Sequence, residues 1–316
     1  MRSRFLPEGR LLHTPENEAA CASRDGLRRA MEEETVLEGV AQLCDGAHNL
    51  LVSVGPFTGF LPREEAALGI AEGTTREIAI LSRVGKPVCF QITALEESEG
   101  VLRPRLSRRR AQQAALDAML AGLHPGCILP AVVTHLESFG AFVDIGCGVP
   151  SLIGIENISV SRIPHPDQRF RVGQAIFAVV QELDPKLGRV YLTHRELLGT
   201  WEENAAGFTV GETVVGIVRS VEEYGTFVEI APNLAGLAET CPDLHPGQAV
   251  SVYIKNILPD KMKIKLVIVN HSLGQSHRFD LRYFITEGHI DHWLYSTPES
   301  RKRIETDFAV AACNPV

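Results

Sequence analysis

Short runs in which apolar and polar residues alternate fill the middle of the chain, separated by Gly, Pro and Asp. Five of them are rich in Val, Ile and Phe and lie at about 128–136, 141–146, 150–155, 174–183 and 188–193. Alternation with a period of two is typical of half-buried strands, and the separating residues favour turns. Five strands so close together, with no long helix between them, predict a small closed barrel, which hides strand edges from other chains.

The pattern of residues 125–145 repeats later in the chain. PGCILPAVVTHLESFGAFVDI aligns without a gap with VGETVVGIVRSVEEYGTFVEI at 210–230, at an offset of 85 residues, and 172–193 aligns with 246–267 at an offset of 74. The later copy is therefore shorter by the difference of the two offsets, 11 residues. The missing residues fall in ENISVSRIPHPDQRF, which we expect to form a short helix or loop.

A more distant copy precedes both of these. Residues 39–65, GVAQLCDGAHNLLVSVGPFTGFLPREE, have strand–turn–strand character, and residues 84–109 resemble residues 172–193. The first turn of this copy reads CDGAHNLL and lacks the aromatic pair of the other two copies. The sequence therefore predicts three tandem barrels, of which the first is degenerate.

Two segments between the copies predict helices. SRRRAQQAALDAMLAGL (107–123) is rich in Ala, Leu and Gln, and Ser107 is a suitable N-cap. THRELLGTWEENA (193–205) places Leu197 and Trp201 at helical spacing. We expect both segments to be rigid connectors between barrels.

Composition excludes several classes of protein. The chain has no run of about eighteen apolar residues, so we expect no membrane span, and the first residues resemble an unstructured lead-in rather than a signal peptide. Seven scattered cysteines without a CxxC pair predict a reducing, cytoplasmic location and neither a disulfide scaffold nor a zinc site. The net charge of −8 does not indicate a nucleic-acid binder, although a local basic strip is sufficient to hold phosphates.

The stretch SFGAFVDIG, residues 138–146, offers an aromatic pair as a candidate binding surface. If Val143 points into the barrel, Phe142 and Asp144 point outward. Phe139 would then lie on the opposite side, unless a turn or bulge at Gly140 resets the register. Two rings on one outer face could stack on nucleobases, whereas one ring could instead cover a barrel end or a connector helix.

A basic strip lies in the last predicted strand of the third copy. In KMKIKL (261–266) the residues Lys261, Lys263 and Lys265 alternate with apolar residues. This spacing predicts three ammonium groups on one strand face above a buried row, although exposed strands often carry lysine without any ligand.

A second basic cluster lies at the start of the first predicted connector helix. RPRLSRRR (103–110) ends with Arg108, Arg109 and Arg110, which fall at the positively polarised end of that helix. A bound phosphate would offset this unfavourable arrangement, so these three arginines are candidate RNA contacts.

Taken together, these motifs resemble the S1 RNA-binding domain family, whose fold is a five-stranded OB-fold barrel. SFGAFVDIG, SLIGIENIS and the block from VGQ to RVYLT carry the resemblance over nearly all of 125–193. The similarity is good but shortened over 210–267 and weaker over 36–107. The whole chain thus resembles a short bacterial multi-domain homologue of ribosomal protein S1.

The resemblance implies an RNA-binding face with two aromatic residues, a histidine in the third strand, and an Asp and an Arg around the last hairpin. In the second copy the matching positions hold Phe139 and Phe142, then Asp184 and Arg189. The histidine position is Gly154, so one contact of the family is missing.

In the third copy the aromatic positions are filled by Tyr224 and Phe227, and Lys263 stands in place of the arginine. Glu239 occupies the histidine position, where an acidic side chain repels phosphate. The resemblance therefore implies weak RNA contacts that are spread over several barrels.

The expected fold class is all-β with connector helices, built from three tandem five-stranded OB-fold (S1-type) barrels. The expected barrels are a degenerate one at 32–107, a full one at 124–193 and a shortened one at 207–269. Connector helices are expected between them at 108–123 and 194–206. A flexible N-terminal lead-in is expected at 1–31 and a C-terminal extension at 270–316.

The extension holds four histidines, His271, His277, His289 and His292. GHIDH suggests a metal ligand pair, but His289 and His292 have no complementary cysteine or second histidine pair at a ligand spacing. We expect no metal, and a strand or helix that packs back on the last barrel.

The expected function is non-catalytic binding of single-stranded RNA or mRNA, connected with translation and the ribosome, by a cytoplasmic monomer without cofactors. The chain has no P-loop, GxGxxG, HExxH, GxSxG or EF-hand motif. Enzymes with S1 domains carry them beside a catalytic domain, for which three barrels leave no room. The alternative is a scaffold that docks on the ribosome or RNA polymerase with vestigial RNA binding, which the acidic net charge and Glu239 favour.

Overall fold

The computed structural model describes residues 5–271 and 278–308. Its strands close into three five-stranded barrels, so the expected all-β fold class with connector helices is confirmed. The chain divides into two compact units: the first contains residues 1–123, 130–132 and 144–150, and the second contains the rest. His277, one of the candidate metal ligands, lies outside the described residues.

The N-terminal segment contains two helices, and the expectation of a flexible lead-in over 1–31 is wrong for the part of it that the structure describes. Helix α1 spans Pro15–Cys21 and helix α2 spans Arg24–Glu32, and a side-chain N-cap begins each of them. Leu27 and Ala30 are buried in the same apolar core as the first barrel. These helices are ordered because their few apolar residues cover that barrel, which a short polar sequence does not reveal.

The first barrel contains strands β1 to β5 in the spatial order β1-β2-β3-β5-β4, and the short helix α3 (Ile78–Leu81) precedes its fourth strand. The strands span Leu37–Cys44, Leu50–Val54, Phe57–Leu61, Pro87–Ser98 and Val101–Ser107. Helix α4 follows at Arg108–Gly122, and the Ser107 hydroxyl caps it by accepting a hydrogen bond from Arg110 N at 2.9 Å.

The second barrel contains strands β6 to β10 in the order β10-β8-β7-β6-β9. They span Ile128–Glu137, Gly140–Asp144, Pro150–Gly154, Ala175–Asp184 and Arg189–Thr193. The segment between β8 and β9 forms two 3-10 turns, at Ile155–Asn157 and Pro166–Gln168, in agreement with the expected short helix or loop.

The second connector is shorter and more broken than the sequence predicts. A 3-10 turn at Arg195–Leu198 precedes helix α5, which spans only Trp201–Ala205. Gly199 interrupts the helix with a φ of +81°, and a Cβ there would lie 2.6 Å from the Phe284 ring. The Thr200 capping box then begins α5 anew.

The third barrel contains strands β11 to β15 in the order β11-β12-β13-β15-β14. They span Thr213–Glu222, Gly225–Ala231, Leu234–Ala238, Ala249–Leu258 and Lys263–Asn270. In the tail, β16 (His292–Leu294) and β17 (Glu305–Asp307) form a small sheet. Trp293 and Tyr295 are buried in the core of the third barrel, so the tail packs back on it as expected.

Within the described ranges 5–271 and 278–308, the structure contains no helix with the length and hydrophobicity needed to cross a membrane.

Candidate nucleic-acid interface

Two aromatic rings meet at the first hairpin of the second barrel. Phe139 lies in the turn between β6 and β7, and Phe142 lies in β7. Their centroids are 6.0 Å apart and their planes are almost perpendicular, at 88°. The Phe139 side is open to solvent, since this residue is 54% exposed, whereas Phe142 is half-buried. The pair therefore presents one ring to solvent and fixes it against the second.

Gly140 separates the two rings, but not through the bulge that the sequence suggests. It begins β7 without a positive φ, and a Cβ at this position would lie 2.4 Å from the Ile153 carbonyl oxygen. Glycine is thus required by the close approach of the neighbouring strand. Phe139 reaches the outer face because it lies in the turn, where strand alternation no longer applies.

Two further rings extend this surface. The His135 ring lies 6.3 Å from the Phe142 ring at an angle of 32°, and its Nε2 lies 2.7 Å from the Glu137 carboxylate. Tyr191 in β10 pairs with Leu152 in β8, which is the strand next to β7. Neither ring is evident from the sequence alone, because the register between strands decides which side chains lie next to each other.

The third barrel repeats the same arrangement. Tyr224 and Phe227 have ring centroids 6.0 Å apart at an angle of 84°, and Tyr224 is 71% exposed. Phe227 pairs with Leu237 in β13, which in turn pairs with Lys265 in β15. A row across three strands therefore places an ammonium group two strands away from the exposed ring pair.

The sequence predicts that all three lysines of KMKIKL share one strand face, but in the structure only two of them do. Lys263 and Lys265 are exposed in β15 on either side of the buried Ile264. Lys261 instead ends a 3-10 turn, and Met262 follows in the left-handed region with a φ of +46°. This turn breaks the alternation, so only two of the three ammonium groups belong to the face.

Asp184 and Arg189 face each other across the β9–β10 hairpin. The Asp184 carboxylate accepts hydrogen bonds from the backbone N–H groups of Lys186 and Leu187, both at 3.0 Å. Asp184 thus closes the turn, and the exposed Arg189 is the member of the pair that is directed at solvent. In the third barrel the Asp position is Leu258, which pairs with Lys263.

The arginine cluster at α4 differs from its predicted role. Arg108 is only 4% exposed, its Nε lies 2.6 Å from the Glu8 carboxylate, and it donates to the Ala66 carbonyl at 3.2 Å. A phosphate cannot reach it, so its prediction as an RNA contact is wrong. Arg109 pairs with Glu72 at 2.7 Å, and Arg110 remains exposed. Glu8 and Glu72 therefore offset the charges of Arg108 and Arg109.

Asp144 points outward from its strand but is buried, because the N-terminal segment covers it. Its carboxylate accepts hydrogen bonds from the backbone N–H groups of Glu8, Gly146 and Gly148 at 2.7–2.9 Å. Burial, together with the nearby Glu8 carboxylate, raises the pKa of Asp144 to about 7. Burial opposes ionisation of Glu8 as well, but Arg108 holds the pKa of Glu8 below its ordinary value.

Carboxylates lie near the positions where the family has a histidine. A Cβ on Gly154 would lie 2.6 Å from a carboxylate oxygen of Glu156, and Glu239 is exposed at the end of β13. Each of the two barrels thus carries one acidic group beside its aromatic pair. Negative charge at this place weakens phosphate binding by each barrel.

The first barrel has a different outer row. Leu51 pairs with Phe60, and Phe60 pairs with Arg105. These strands, β2, β3 and β5, are equivalent to the strands β12, β13 and β15 that carry Phe227, Leu237 and Lys265 in the third barrel. An aliphatic residue therefore replaces the first-hairpin ring, as the sequence predicts for this degenerate copy. A basic residue is retained at the end of the row.

Comparison with known proteins agrees with this arrangement. Residues 123–195 match the family model described as "S1 RNA binding domain". Over 266 residues the chain is 26% identical to the small ribosomal subunit protein bS1 of Rhodopseudomonas palustris, which covers 79% of this chain and 44% of that protein. Over 263 residues it is 29% identical to bS1 of Staphylococcus epidermidis, which covers 78% of this chain and 64% of that protein.

Among solved structures, a multidomain protein with nucleic acid binding domains from Streptococcus pneumoniae aligns with 77% of this chain and 76% of its own, at 14% identity and a TM-score of 0.25. The chain thus spans about half of the length of its curated relatives, 44% and 64% for the two named above. The resemblance to the S1 RNA-binding domain family is confirmed, by the family model over the second barrel and by the bS1 relatives over most of the chain.

Proposed function

We propose that the chain binds single-stranded RNA through the outer faces of its second and third barrels. The observation that carries this proposal is the repeated ring pair, Phe139 with Phe142 and Tyr224 with Phe227, which has the same 6.0 Å separation and nearly perpendicular geometry in both barrels. Exposed aromatic surface is unfavourable in water unless a ligand covers it. Nucleobases are suitable ligands because stacking accepts any base.

The charges around the rings make each barrel a weak platform. Lys263 and Lys265 supply phosphate contacts beside the third-barrel rings, and Arg189 supplies one at the last hairpin of the second barrel. Glu156 and Glu239 oppose them. We therefore expect affinity to come mainly from stacking, with a moderate salt dependence and little sequence preference. Arg109, Arg110 and Lys261 stay predicted contacts.

The relatives named small ribosomal subunit protein bS1 support a role on mRNA in translation, at or near the ribosome. We extend this proposal to a cytoplasmic, non-catalytic and monomeric protein that needs no cofactor. The segment boundaries given by the sequence, with barrels at 32–107, 124–193 and 207–269, are part of the same proposal.

The test is the affinity of the full chain for a fluorescent single-stranded RNA oligomer, measured by anisotropy at two salt concentrations. The double variant Phe139→Ala with Phe142→Ala should bind at least about tenfold more weakly, because each stacked base contributes about 1–3 kcal/mol. The double variant of Tyr224 and Phe227 should have a comparable effect. Replacing Lys263 and Lys265 by alanine should lower the salt slope, by about 0.7 for each lost phosphate contact.

A matched control comes from the same barrel. Tyr253 in β14 is 38% exposed, lies outside the row of Phe227, and should be replaceable by alanine without loss of RNA affinity. If both ring-pair variants bind RNA as tightly as the parent protein, the proposed stacking surface is wrong. If the parent chain itself does not bind RNA, the proposed function is wrong. Protein partners that remain bound after nuclease treatment would then indicate a scaffold.

A further inference from the structure

A cluster of metal-binding side chains lies where the tail pairs with the residues that precede the second barrel. His124 and Cys127 lie just before β6, and His289 comes from the tail. One ligand atom from each of the three residues lies within 4.8 Å of the other two. We infer that these three residues bind a zinc ion. The expectation that His289 lacks a cysteine partner is wrong, because the fold brings in Cys127 from a distant part of the sequence.

The distances agree with tetrahedral coordination. Zinc bonds of about 2.3 Å to sulfur and about 2.0–2.1 Å to nitrogen place S and N ligands of one tetrahedron about 3.5 Å apart. The distance from Cys127 Sγ to His124 Nδ1 is 3.5 Å, and the rings of His124 and His289 have centroids 4.6 Å apart. His124 is exposed, so a change of its rotamer can close the remaining gap.

The backbone that carries the ligands is fixed. Cys127 and His289 form an isolated antiparallel bridge, with Ile128 N donating to Gly288 O at 3.1 Å and Ile290 N donating to Gly126 O at 3.0 Å. The turn before Cys127 also bonds to β9, through Gly126 N to Val180 O at 2.8 Å. Because the cysteine and the histidine are held by main-chain bonds, little ordering is needed when a metal binds.

Gly126 allows the close approach of the histidine. Its φ is +91°, and a Cβ there would lie 2.2 Å from the Ile290 carbonyl oxygen and 2.6 Å from His289 Nε2. Nε2 is therefore the ring atom that faces the turn containing Cys127. A side chain at Gly126 would displace both the bridge and the ring.

The other nitrogen of His289 has a suitable outer partner. Its Nδ1 lies 3.3 Å from a carboxylate oxygen of Asp291, which is the arrangement that orients metal-bound histidines and makes them better ligands. Without metal, Nε2 lies 2.8 Å from the Pro125 carbonyl oxygen and donates its proton there. Metal binding replaces that proton, and the thiol of Cys127 loses its own proton to become the thiolate ligand.

The donor set determines the kind of ion. Two imidazoles and one thiolate favour zinc over magnesium or calcium, which prefer oxygen ligands. Three protein ligands leave a fourth position for water. A zinc ion here would connect the beginning of the second barrel to the tail and hold the tail against it.

The experiment uses the full chain without an affinity tag, reduced and freed of metal with a chelator. Zinc is titrated against a chromogenic chelator, bound zinc is counted by mass spectrometry, and cobalt serves as a spectroscopic probe. We expect one zinc ion per chain, a cobalt complex with tetrahedral and thiolate-to-cobalt absorption bands, and a higher melting temperature with zinc. Cys127→Ser should remove the thiolate band and weaken zinc binding about 100-fold or more. His289→Asn should weaken zinc binding by a similar factor.

Control variants separate this site from surface thiols and histidines. Cys241 Sγ lies 3.9 Å from His271 Nδ1, and no third ligand joins this pair within the described part of the chain, so Cys241→Ser should leave zinc binding unchanged. His124→Asn alters an exposed side chain, so it should weaken zinc binding while the circular dichroism spectrum stays the same. Zinc affinity that is equal in the parent protein and in the Cys127 and His124 variants would overturn the inference, as would a cobalt complex without a thiolate band.

Discussion

Glu229 is the carboxylate of a buried charge cluster that joins the second and third barrels within the second unit. It accepts hydrogen bonds from Arg169, which precedes β9, and from Arg219 in β11, whose Nε lies 2.8 Å away. The side chains of Glu229, Arg169 and Arg219 are 0%, 1% and 7% exposed. Replacing Glu229 by glutamine leaves two buried guanidinium groups without a negative partner.

The expected loss of stability follows from the remaining partners. Arg169 keeps the Ser159 hydroxyl and the Gln168 carbonyl, both at 3.3 Å, and Arg219 keeps the Gln168 side chain at 3.1 Å. These neutral groups keep some hydrogen bonds of the two guanidinium groups, but they leave the buried Nε of Arg169 without a partner and supply no negative charge. Breaking a buried pair in this way costs about 3–5 kcal/mol, so Glu229→Gln should lower the free energy of unfolding by about that amount.

Tryptophan fluorescence during urea unfolding is the suitable assay. Trp201 and Trp293 are the only two tryptophans of the chain, and both are buried in the core that contains the third barrel. Glu305→Gln is the control, since Glu305 pairs with Arg303 at the surface of the same unit at 2.9 Å and should cost less than 1 kcal/mol. A Glu229→Gln variant that unfolds within about 1 kcal/mol of the parent protein would refute the reasoning, because the arginines would then be solvated without their carboxylate.

Three further predictions concern other parts of the fold. Burial lowers the pKa of His194 to about 4, so between pH 6.5 and 4 the unfolded chain binds a proton that the folded chain does not. The free energy of unfolding, measured with urea, should therefore fall by about 3 kcal/mol as the pH decreases through this range. A His194→Gln variant should lose that pH dependence. Gly140→Ala should cost about 1–3 kcal/mol because of the contact with Ile153, whereas Gly46→Ala, where a Cβ meets nothing within 4 Å, should be neutral, with the unfolding of both variants followed by circular dichroism. Glu8→Gln should destabilise the first unit by about 3 kcal/mol in circular-dichroism unfolding, and a flexible N-terminal segment would give no change.

The strands could be predicted because their information is local and repeated. Alternation and turn residues locate a strand, and the second and third copies align at offsets of 85 and 74 residues, so both aromatic pairs were found from the sequence. The places of His135 and Tyr191 were not found, because His135 meets Phe142 on the next strand and Tyr191 pairs with Leu152 on a strand far away in sequence. The register between strands is not a local property.

The charged residues were harder to place. Arg108 appears in the sequence as one of three similar arginines, and only its contact with Glu8 distinguishes a buried structural residue from an exposed one. Lys261 fits the alternation of KMKIKL. However, it belongs to the 3-10 turn Pro259–Lys261 and therefore lies outside the strand, and Met262 follows in the left-handed region. The ligand cluster of His289 depends in the same way on a partner far away in sequence.

The position of both ring pairs on connected barrels bears on how weak platforms can act together. Within the second unit, Asn233 accepts a hydrogen bond from Val160 N at 2.7 Å and donates to the Arg195 carbonyl at 2.9 Å, and Arg169 pairs with Glu229. The barrels are therefore held by buried polar contacts rather than by a free linker. Under the proposal that both pairs stack on RNA, a strand bound at one pair would meet the other at a raised effective concentration, which would compensate for the acidic groups beside each face. On the proposed function, a chain with a net charge of −8 binds RNA because its affinity depends on the repetition of a modest contact and not on a basic surface.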